Sequence, residues 1–597
     1  MADIITTPHV TISVPFINNN DSVRNQMAAS QSRQAVPLVN PEEPIVQTTL
    51  ERSRILEDDI IRVKEDCEVV YSSYKIIVTK TSNNKFSFYY VDHTYTIPEE
   101  GTVLKQGDIL AYKTGYFIKD GTLAQGKNLL CSVVVHPWSY EDAIILRKGV
   151  DLTSIDYKVF DYKISKDQFL LSISDDKSKY KIIPEPGDII KAFEPILIIK
   201  KANPQDILRE PEIIRYKQDL EIIHVDFLAN DWFRDLRDYS VAVLTIKEKQ
   251  ERLKEKLQQT IKDEFVLNEV LKREYLFDGE YKYGKEKFDI FIRIIGKVYE
   301  PIERGDKLTN RHAAKGVVSN ITDTIFITDD GRQVDINIDL MSIISRMNIG
   351  QLYELVAGNC IYHLEKKVKQ FDDLQKGKDY ILNFYKIIDN TEEKWITKQC
   401  QEQLDKITSI EELHNLQLTF PAPPFESSTR QQLIDACTYL NPELSSNFKA
   451  YFEQDNLDEL PDLSPLLEKI ILPDGTERYA SVGYVYFYKL VHRSSEKIAA
   501  RSSGKLTKKT LQPTSGRKKQ GGQRFGEMEV WALLAYDAIL NLKEISGLKS
   551  DDLEKKVNHI IKQLYGSDVK LKENDLETIK LLKAYLAILR TKLVNDE

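Results

Sequence analysis

The chain has 597 residues, 42% of them hydrophobic and 29% charged, enough for several core-forming units and ordinary for a globular protein. It holds no run of about 18 apolar residues, and the opening Met-Ala-Asp-Ile-Ile lacks the basic region and apolar core of a secretory signal, so neither a membrane span nor secretion is expected. A net charge of −9 would argue against nucleic-acid binding only if it were spread evenly.

Residues 1–50 read as irregular chain with a short helix near Asp21–Gln34. Residues 67–135 are rich in Val, Ile, Tyr and Phe with Gly-containing turns and read as β. From 151 to 285 the character changes. Short strands and turns surround Pro184-Glu-Pro-Gly187, and a charged helical stretch runs from Thr245 to about Leu276, with Leu253, Leu257, Ile261 and Leu271 at roughly helical spacing. Such a segment looks like an insertion that projects from a barrel. Phe288, Ile290, Ile292 and Ile294 then alternate with polar residues, the pattern of a half-buried strand, which Pro301 and Gly305 end in a turn. Residues 361–475 read as mostly charged helix, broken at Phe420-Pro-Ala-Pro-Pro424.

The last 120 or so residues read as a strand, a basic loop and three helices. The first of these helices puts Met528, Trp531, Ala535, Ala538 and Leu542 on one stripe, expected to be core. The second starts at Ser550-Asp551-Asp552, good N-cap chemistry, and is expected to bury Val557, Ile560, Ile561 and Leu564. Cys67, Cys131, Cys360, Cys400 and Cys437 are far apart and form no C-x-x-C pair, so they read as small core residues in a reducing cytosol.

Two segments carry chemistry. Gly305-Asp-Lys307-Leu-Thr-Asn-Arg311-His312-Ala-Ala-Lys315-Gly316 sets two lysines eight residues apart between glycines. Two ammonium groups on a tight loop suit a grip on two phosphates of a nucleic acid or a triphosphate; a solvated basic turn is the plain alternative. From Lys497 to Arg524 there are nine Lys or Arg and no Asp or Glu, a focused basic patch or a flexible solvated loop. No Gly-x4-Gly-Lys-Ser/Thr loop is present, so an ATPase of that class is not supported.

Three segments, in order, resemble the β subunit of multisubunit RNA polymerases: the two-lysine segment, Ser345-Arg346-Met-Asn-Ile-Gly-Gln351, and Gly521-Gly-Gln-Arg524-Phe-Gly-Glu527-Met-Glu-Val-Trp531-Ala-Leu533. Further agreement lies at Asn20-Asp21-Ser-Val-Arg24, Ser32-Arg33-Gln34-Ala-Val-Pro37, Gly126-Lys-Asn128, Pro137-Trp138 with Tyr140-Glu141-Asp142-Ala-Ile144, His492…Lys497…Arg501-Ser502-x-Gly504, and Lys549-Ser-Asp-Asp552. The regions 151–285 and 361–475 match only weakly. Ala313-Ala314 stands where the family usually has Gly-Asn. The spacing around Ser139 is shortened, and Val23 and Ser30 replace asparagines.

The resemblance implies a multidomain α+β fold with a double-psi β-barrel core, a flap-like insertion and C-terminal helices that anchor a clamp. The implied segments are 1–150 (fork, RNA channel and first barrel part), 151–285 (flap-like insertion), 286–360 (barrel with the two-lysine loop), 361–475 (helical connector) and 476–597 (last barrel strand, basic loop, clamp anchor). It implies a part in DNA-directed RNA synthesis from NTPs by two-metal phosphoryl transfer, active only in a complex. Lys307 and Lys315 would hold phosphates at the RNA end, with His492 beside them. Arg346 and Arg24 would meet the incoming triphosphate, and Asp142 with Glu141 would act through water on a substrate-borne Mg²⁺. Arg33, Gln34, Lys497, Arg501 and Arg524 would contact nucleic acid or brace the loop. An acidic loop cap is the plain reading of Glu141-Asp142, and a packed ring that of His492.

The family's Asn-Ala-Asp-Phe-Asp-Gly-Asp metal motif, which lies on β′, is absent here, so Mg²⁺ is expected mainly on a β′ partner. The segment Ser32–Pro37 sits near the start of the chain, which suggests the C-terminal half of a split β subunit of bacterial type, as in large DNA phages. Expected partners are the N-terminal half of β, β′ chains, a promoter-specificity factor, DNA template and RNA, with no membrane. The expected location is the cytoplasm of a host bacterium, the virion being a second. A rival class is a non-catalytic nucleic-acid-binding scaffold of the same fold.

Overall fold

One strand, Glu477–Lys489, decides the architecture, because it pairs antiparallel with Lys127–Val133 on one side and with Lys307–Asn310 on the other. In the computed structural model, six strands close into a ring: β1 (Lys127–Val133), β2 (Ala143–Arg147), β3 (Lys307–Asn310), β4 (Gly316–Thr322), β5 (Ile336–Ile338) and β6 (Glu477–Lys489). Around the ring the order is β3-β4-β2-β5-β1-β6 and back to β3. The β2–β4 and β1–β5 pairs are parallel and the other four antiparallel. The structure describes residues 11–592 apart from 12, 52–58, 165–167, 172, 174–182, 202–209, 230–254, 256, 260, 262, 275–289, 442–466, 503 and 567–576. Two units separate by contact, Met1–Val491 and His492–Glu597.

Closure buries one face of every ring strand, and the β-branched and aromatic content of these segments fits that surface. Leu129, Cys131, Ile144, Leu146, Leu308, Val318, Ile336 and Phe487 share a core with a helical layer. That layer comprises α2 (Leu340–Arg346), α3 (Gly350–Val368), α4 (Leu374–Ile388), α5 (Trp395–Asp405) and α6 (Arg430–Leu440), preceded in the chain by α1 (Ser22–Ser32). The expected break at Phe420–Pro424 is a structural element. Phe420-Pro421 pairs in parallel with Val46-Gln47 and buries Phe420 completely.

The expected β region folds into small sheets, among them Cys67–Ser72, Ile76–Thr81, Phe86–Tyr90 and Val103–Leu104. Of the expected helical stretch, the described helix is Glu264–Glu274; Thr245, Leu253 and Leu276 lie outside the described residues. Leu257, Ile261, Val266, Leu267 and Val270 pack against Tyr71, Ile76 and Val78. This part of the insertion therefore docks on the sheet that holds Cys67–Ser72 and Ile76–Thr81. The strand Ile290–Glu300 forms an eleven-pair ladder with Ser154–Ile164. It is more buried than the expected half, because Phe291 and Ile295 are covered as well as Ile292 and Ile294. Phe288 lies outside the described residues.

In the second unit the helix Glu527–Ala535 stops at Tyr536-Asp537, where Asp537 takes φ 53°, so the expected stripe through Ala538 and Leu542 is broken. Nor is that stripe core within this chain: Met528 and Trp531 are 60% and 57% exposed, and Val557, Ile560 and Leu564 are exposed too. Among the described residues of the second unit, no layer covers the apolar faces of these helices. The helix Leu553–Tyr565 does start on Asp552, whose side chain accepts from Lys555 N at 2.9 Å.

Lys489, the last residue of β6, is a buried charge that the sequence did not announce. It is fully buried, and its ammonium donates to Glu300 O at 2.7 Å and Pro301 O at 3.0 Å. Burial pushes its pKa down from the ordinary 10.5 to about 8, with Asp306 and Glu303 opposing. Below pH 8 both folded and unfolded chains carry the proton, and the cost of burying the charge is fully present. Between pH 8 and 10.5 only the unfolded chain keeps it, so this group's contribution to stability rises with pH by about 3 kcal/mol. Denaturant titrations of wild type and Lys489→Met across that window should diverge in favour of wild type. A pH-independent difference would refute the assignment.

Candidate functional site

The hairpin β3–β4 is built from its turn upward. Gly305, at φ 91°, makes the bend before it, and the Asp306 carboxylate accepts from Glu303 N at 3.1 Å. Lys307 then opens β3, with Leu490 N donating to its carbonyl at 3.0 Å. Lys307 pairs in register with Val317, and Lys315 lies two residues before that partner. Both lysines are half-buried and near one another across the hairpin.

Gly316 brings the acidic pair to the lysines. A β-carbon there would collide with Ile144 Cδ1 and sit 2.7 Å from Asp142 O, so only glycine lets β4 run this close to β2. Val317 N donates to Asp142 O at 2.7 Å as a result. Glu141, at φ 50°, donates its N–H to the buried Asp339 carboxylate at 2.9 Å. Asp339 is the residue from which α2 starts, and Arg346 closes that helix. A cation in the last turn also suits the helix dipole. The Arg346 guanidinium forms an ion pair with Asp142 Oδ1, the two side chains being 20% and 50% exposed. At that exposure the pair adds little to stability, and a phosphate can compete for the guanidinium.

Arg24, Arg33 and Gln34 come to the same hairpin through α1. Asn20, just before α1, has its Oδ1 accepting from Gly350 N at 3.0 Å and its Nδ2 2.9 Å from His312 Nδ1. A β-carbon on Gly350 would clash with that same Asn20 oxygen at 2.7 Å. Gln31 Oε1 accepts from Thr309 on β3 at 2.5 Å, and Gln34 O accepts from Val491 N at 3.0 Å. Arg24 is half-buried with Nη1 3.4 Å from Met27 Sδ, while Arg33 is exposed at the end of α1.

The Arg-His pair between the lysines does a different job. Arg311 and His312 are buried, and both reach one carboxylate, Glu354 on α3, at 2.5 Å from Arg311 Nη2 and 2.5 Å from His312 Nε2. Glu51 stands 3.6 Å from Arg311 Nη1, and Tyr486 N donates to Glu354 at 3.2 Å. Burial would raise the Glu354 pKa, but the Arg311 guanidinium and the His312 contact hold it down at about 2. Asn310 donates to Gln351 at 2.8 Å and Asn348 donates to His312 O at 2.8 Å. Glu354 lies outside every segment singled out from the sequence, whereas Gln351, Asn348 and Asn20 lie inside such segments but were given no role there. Ala313 takes φ 61°, its methyl buried with Val14 and Ala28.

His492, Lys497, Arg501 and Arg524 belong to the second unit. Within it, Arg501 donates to Gln520 O at 2.8 Å and to Lys505 O at 3.0 Å, so its fork braces the basic loop. Lys497 ends a short helix and its carbonyl accepts from Gln523 at 3.3 Å, and Arg524 is exposed. His492 is half-buried.

The described residues contain no group of three or more His, Cys, Asp or Glu that could hold a metal ion. One oxygen of Asp142 is already held by Arg346. This donor set does not fit direct coordination of a divalent cation.

Against known families, a model described as RNA polymerase Rpb2, domain 6 matches residues 10–519, and one described as RNA polymerase Rpb2, domain 7 matches residues 521–587. The chain is similar to the DNA-directed RNA polymerase subunit beta of Ureaplasma urealyticum serovar 10, at 29% identity over 636 residues, covering 97% of this chain and 41% of the relative. The subunit of the same name from Mycoplasmoides gallisepticum is 29% identical over 90% of this chain and 39% of its own length. That from Cyanidium caldarium is 26% identical over 91% and 45%. The chain thus spans about two fifths of the length of these relatives.

Proposed function

We propose a function from one premise: the chain belongs to the RNA polymerase Rpb2, domain 6 family. It acts as the C-terminal part of an RNA polymerase β subunit and takes part in DNA-templated RNA synthesis within a complex. The observation that carries this reading is the gathering of Lys307 and Lys315 on one hairpin with the Arg346–Asp142 pair, which the Val317 N to Asp142 O bond holds against it. Half-buried ammonium groups and a displaceable guanidinium form a phosphate-binding surface for the RNA end and the incoming nucleotide. We read the six-stranded ring as the double-psi barrel of the family. Catalytic Mg²⁺ is assigned to a β′-type partner, and no step of this chain is routed through it. Trp138, Tyr140, Met341, Ile344 and Met347 are exposed apolar side chains on the loop and helix that carry Asp142 and Arg346, which suits cover by such a partner. No described helix is long and apolar enough to cross a membrane.

The test is RNA extension on a preformed RNA–DNA scaffold by a complex purified through a tag on this chain. Template-dependent extension supports the polymerase reading. A complex that contains a β′-type partner and binds the scaffold without extending it supports the non-catalytic alternative. Within that assay Arg346→Ala should raise the KM for NTP by about 10–100-fold, since a charge-assisted hydrogen bond contributes roughly 1.5–3 kcal/mol. Arg346→Lys should rescue little, because a lysine cannot present the planar fork. Full rescue by lysine would remove the bidentate role.

A further inference from the structure

All five cysteines read as inert core residues in the sequence, and Cys67, Cys131 and Cys400 are buried singly among the described residues. The other two meet. Cys360 on α3 and Cys437 on α6 are separated by 77 positions in the chain, yet their sulfurs are 3.4 Å apart. Cys360 is 2% exposed, whereas Cys437 is only half-buried. A small cleft beside them is lined by Asn359, His363, Asn441 and Glu468. Both sulfurs are free thiols, and no cluster of three or more metal-binding side chains occurs among the described residues to claim them as ligands.

We propose that Cys360 and Cys437 form a thiol–disulfide exchange site that reacts with small-molecule disulfides and closes into a cross-link between α3 and α6. A disulfide needs sulfurs about 2.0 Å apart, so these must close by roughly 1.4 Å. Leu364 on α3 and Leu433, Ala436 and Leu440 on α6 already pack in one core, which holds the two helices in place for that step.

The order of events follows from exposure. Cys437, as thiolate, attacks the disulfide R–S–S–R, forming a mixed disulfide and releasing one RS⁻, which takes up a proton from solvent. Cys360 then loses its proton, attacks Cys437 Sγ and expels the second RS⁻, which is protonated in turn. Two cysteine thiols are oxidised to one disulfide, and one R–S–S–R is reduced to two RSH. The hydrogen bond with Cys437 and burial push the Cys360 thiol up, which keeps it from making the first attack; the second is helped by its 3.4 Å proximity to Cys437 Sγ. Because α3 carries Gln351 and Glu354 in its first turns, the cross-link ties the helix under the two-lysine hairpin to α6.

The experiment treats the folded chain with oxidised glutathione, blocks residual thiols by alkylation and maps peptides without reduction. The expected result is a Cys360–Cys437 linked peptide, three of the five thiols remaining, and full reversal by dithiothreitol. Cys360→Ser should stop at glutathione on Cys437, and Cys437→Ser should give no cross-link. The proposal is overturned if wild type retains glutathione on Cys437 with no linked peptide. It is equally overturned if the link forms only in denaturant or between two chains. None of these readouts involves RNA synthesis, so they stand or fall apart from the polymerase reading.

Discussion

In the complex proposed for this chain, replacing Lys307 and Lys315 together by alanine should slow RNA extension by at least about 100-fold, and each single change by about 10–100-fold. Each ammonium–phosphate contact contributes roughly 1.5–3 kcal/mol net, and about 1.4 kcal/mol is a decade in rate. The hairpin fixes the direction of the effect. Lys307 is held by the hydrogen bond from Leu490 N to its carbonyl and by pairing with Val317. Lys315 precedes the glycine pressed against Asp142 and Ile144. Little backbone entropy is therefore left to lose on binding. Template binding should also lose salt dependence, its log–log slope shallowing by about 0.7–0.9 for each lost phosphate contact. If the double variant assembles and extends RNA within about threefold of wild type, these lysines are not phosphate ligands.

The largest effect on stability should come from Glu354→Ala. Glu354 is 1% exposed and is the shared carboxylate for Arg311 and His312. Its removal leaves a guanidinium that is 5% exposed beside the Tyr486 ring, with Glu51, at 3.6 Å, as its remaining carboxylate among the described residues. Leaving one charge of a buried pair without its partner costs about 3–5 kcal/mol, read as a fall in denaturant midpoint. Glu354→Gln keeps the shape and part of the hydrogen bonding and should cost less. The carboxyl is held at about 2 against its ordinary 4.5, so its stabilisation is complete above pH 4.5. It is lost as pH falls from 4.5 toward 2, the unfolded chain taking up the proton first. The alanine variant should lack that acid-labile component. A loss below about 1 kcal/mol would mean the triad is compensated by groups outside it.

Residues that act through a local motif were legible. The Gly305–Gly316 segment stands out by its spacing, because two lysines between turn glycines leave a mark within a few residues, whereas Arg346 and Glu141-Asp142 came only with the family resemblance. Glu354 was not legible, since a glutamate in a helix reads as a solvent-facing residue until the fold shows what its helix covers. The surrounding Leu352, Leu355, Val356 and Ala357 were the available signal, an apolar helix start with one carboxylate in it. Lys489 was hidden for the same reason: in Phe487-Tyr-Lys489-Leu it reads as the polar position of an alternating strand, yet it is fully buried, with its ammonium on the Glu300 and Pro301 carbonyls. The C-terminal stripe failed differently. Helical periodicity reports that a face is apolar, and it cannot say whether the cover is this chain or another. Nor did it register the left-handed residue Asp537, which ends the first helix.

Ring closure also sets a timetable for synthesis. The sixth strand follows the fifth by well over a hundred residues, with α2–α6 among the described helices between them. While the chain emerges from the ribosome, β1 and β3 must wait with unpaired edges until β6 is made. Such distant pairing is slow and leaves open strand edges prone to aggregation. Nascent chains truncated before Glu477 should therefore depend on a chaperone that shields strand edges, and those extended past Lys489 should be released from it.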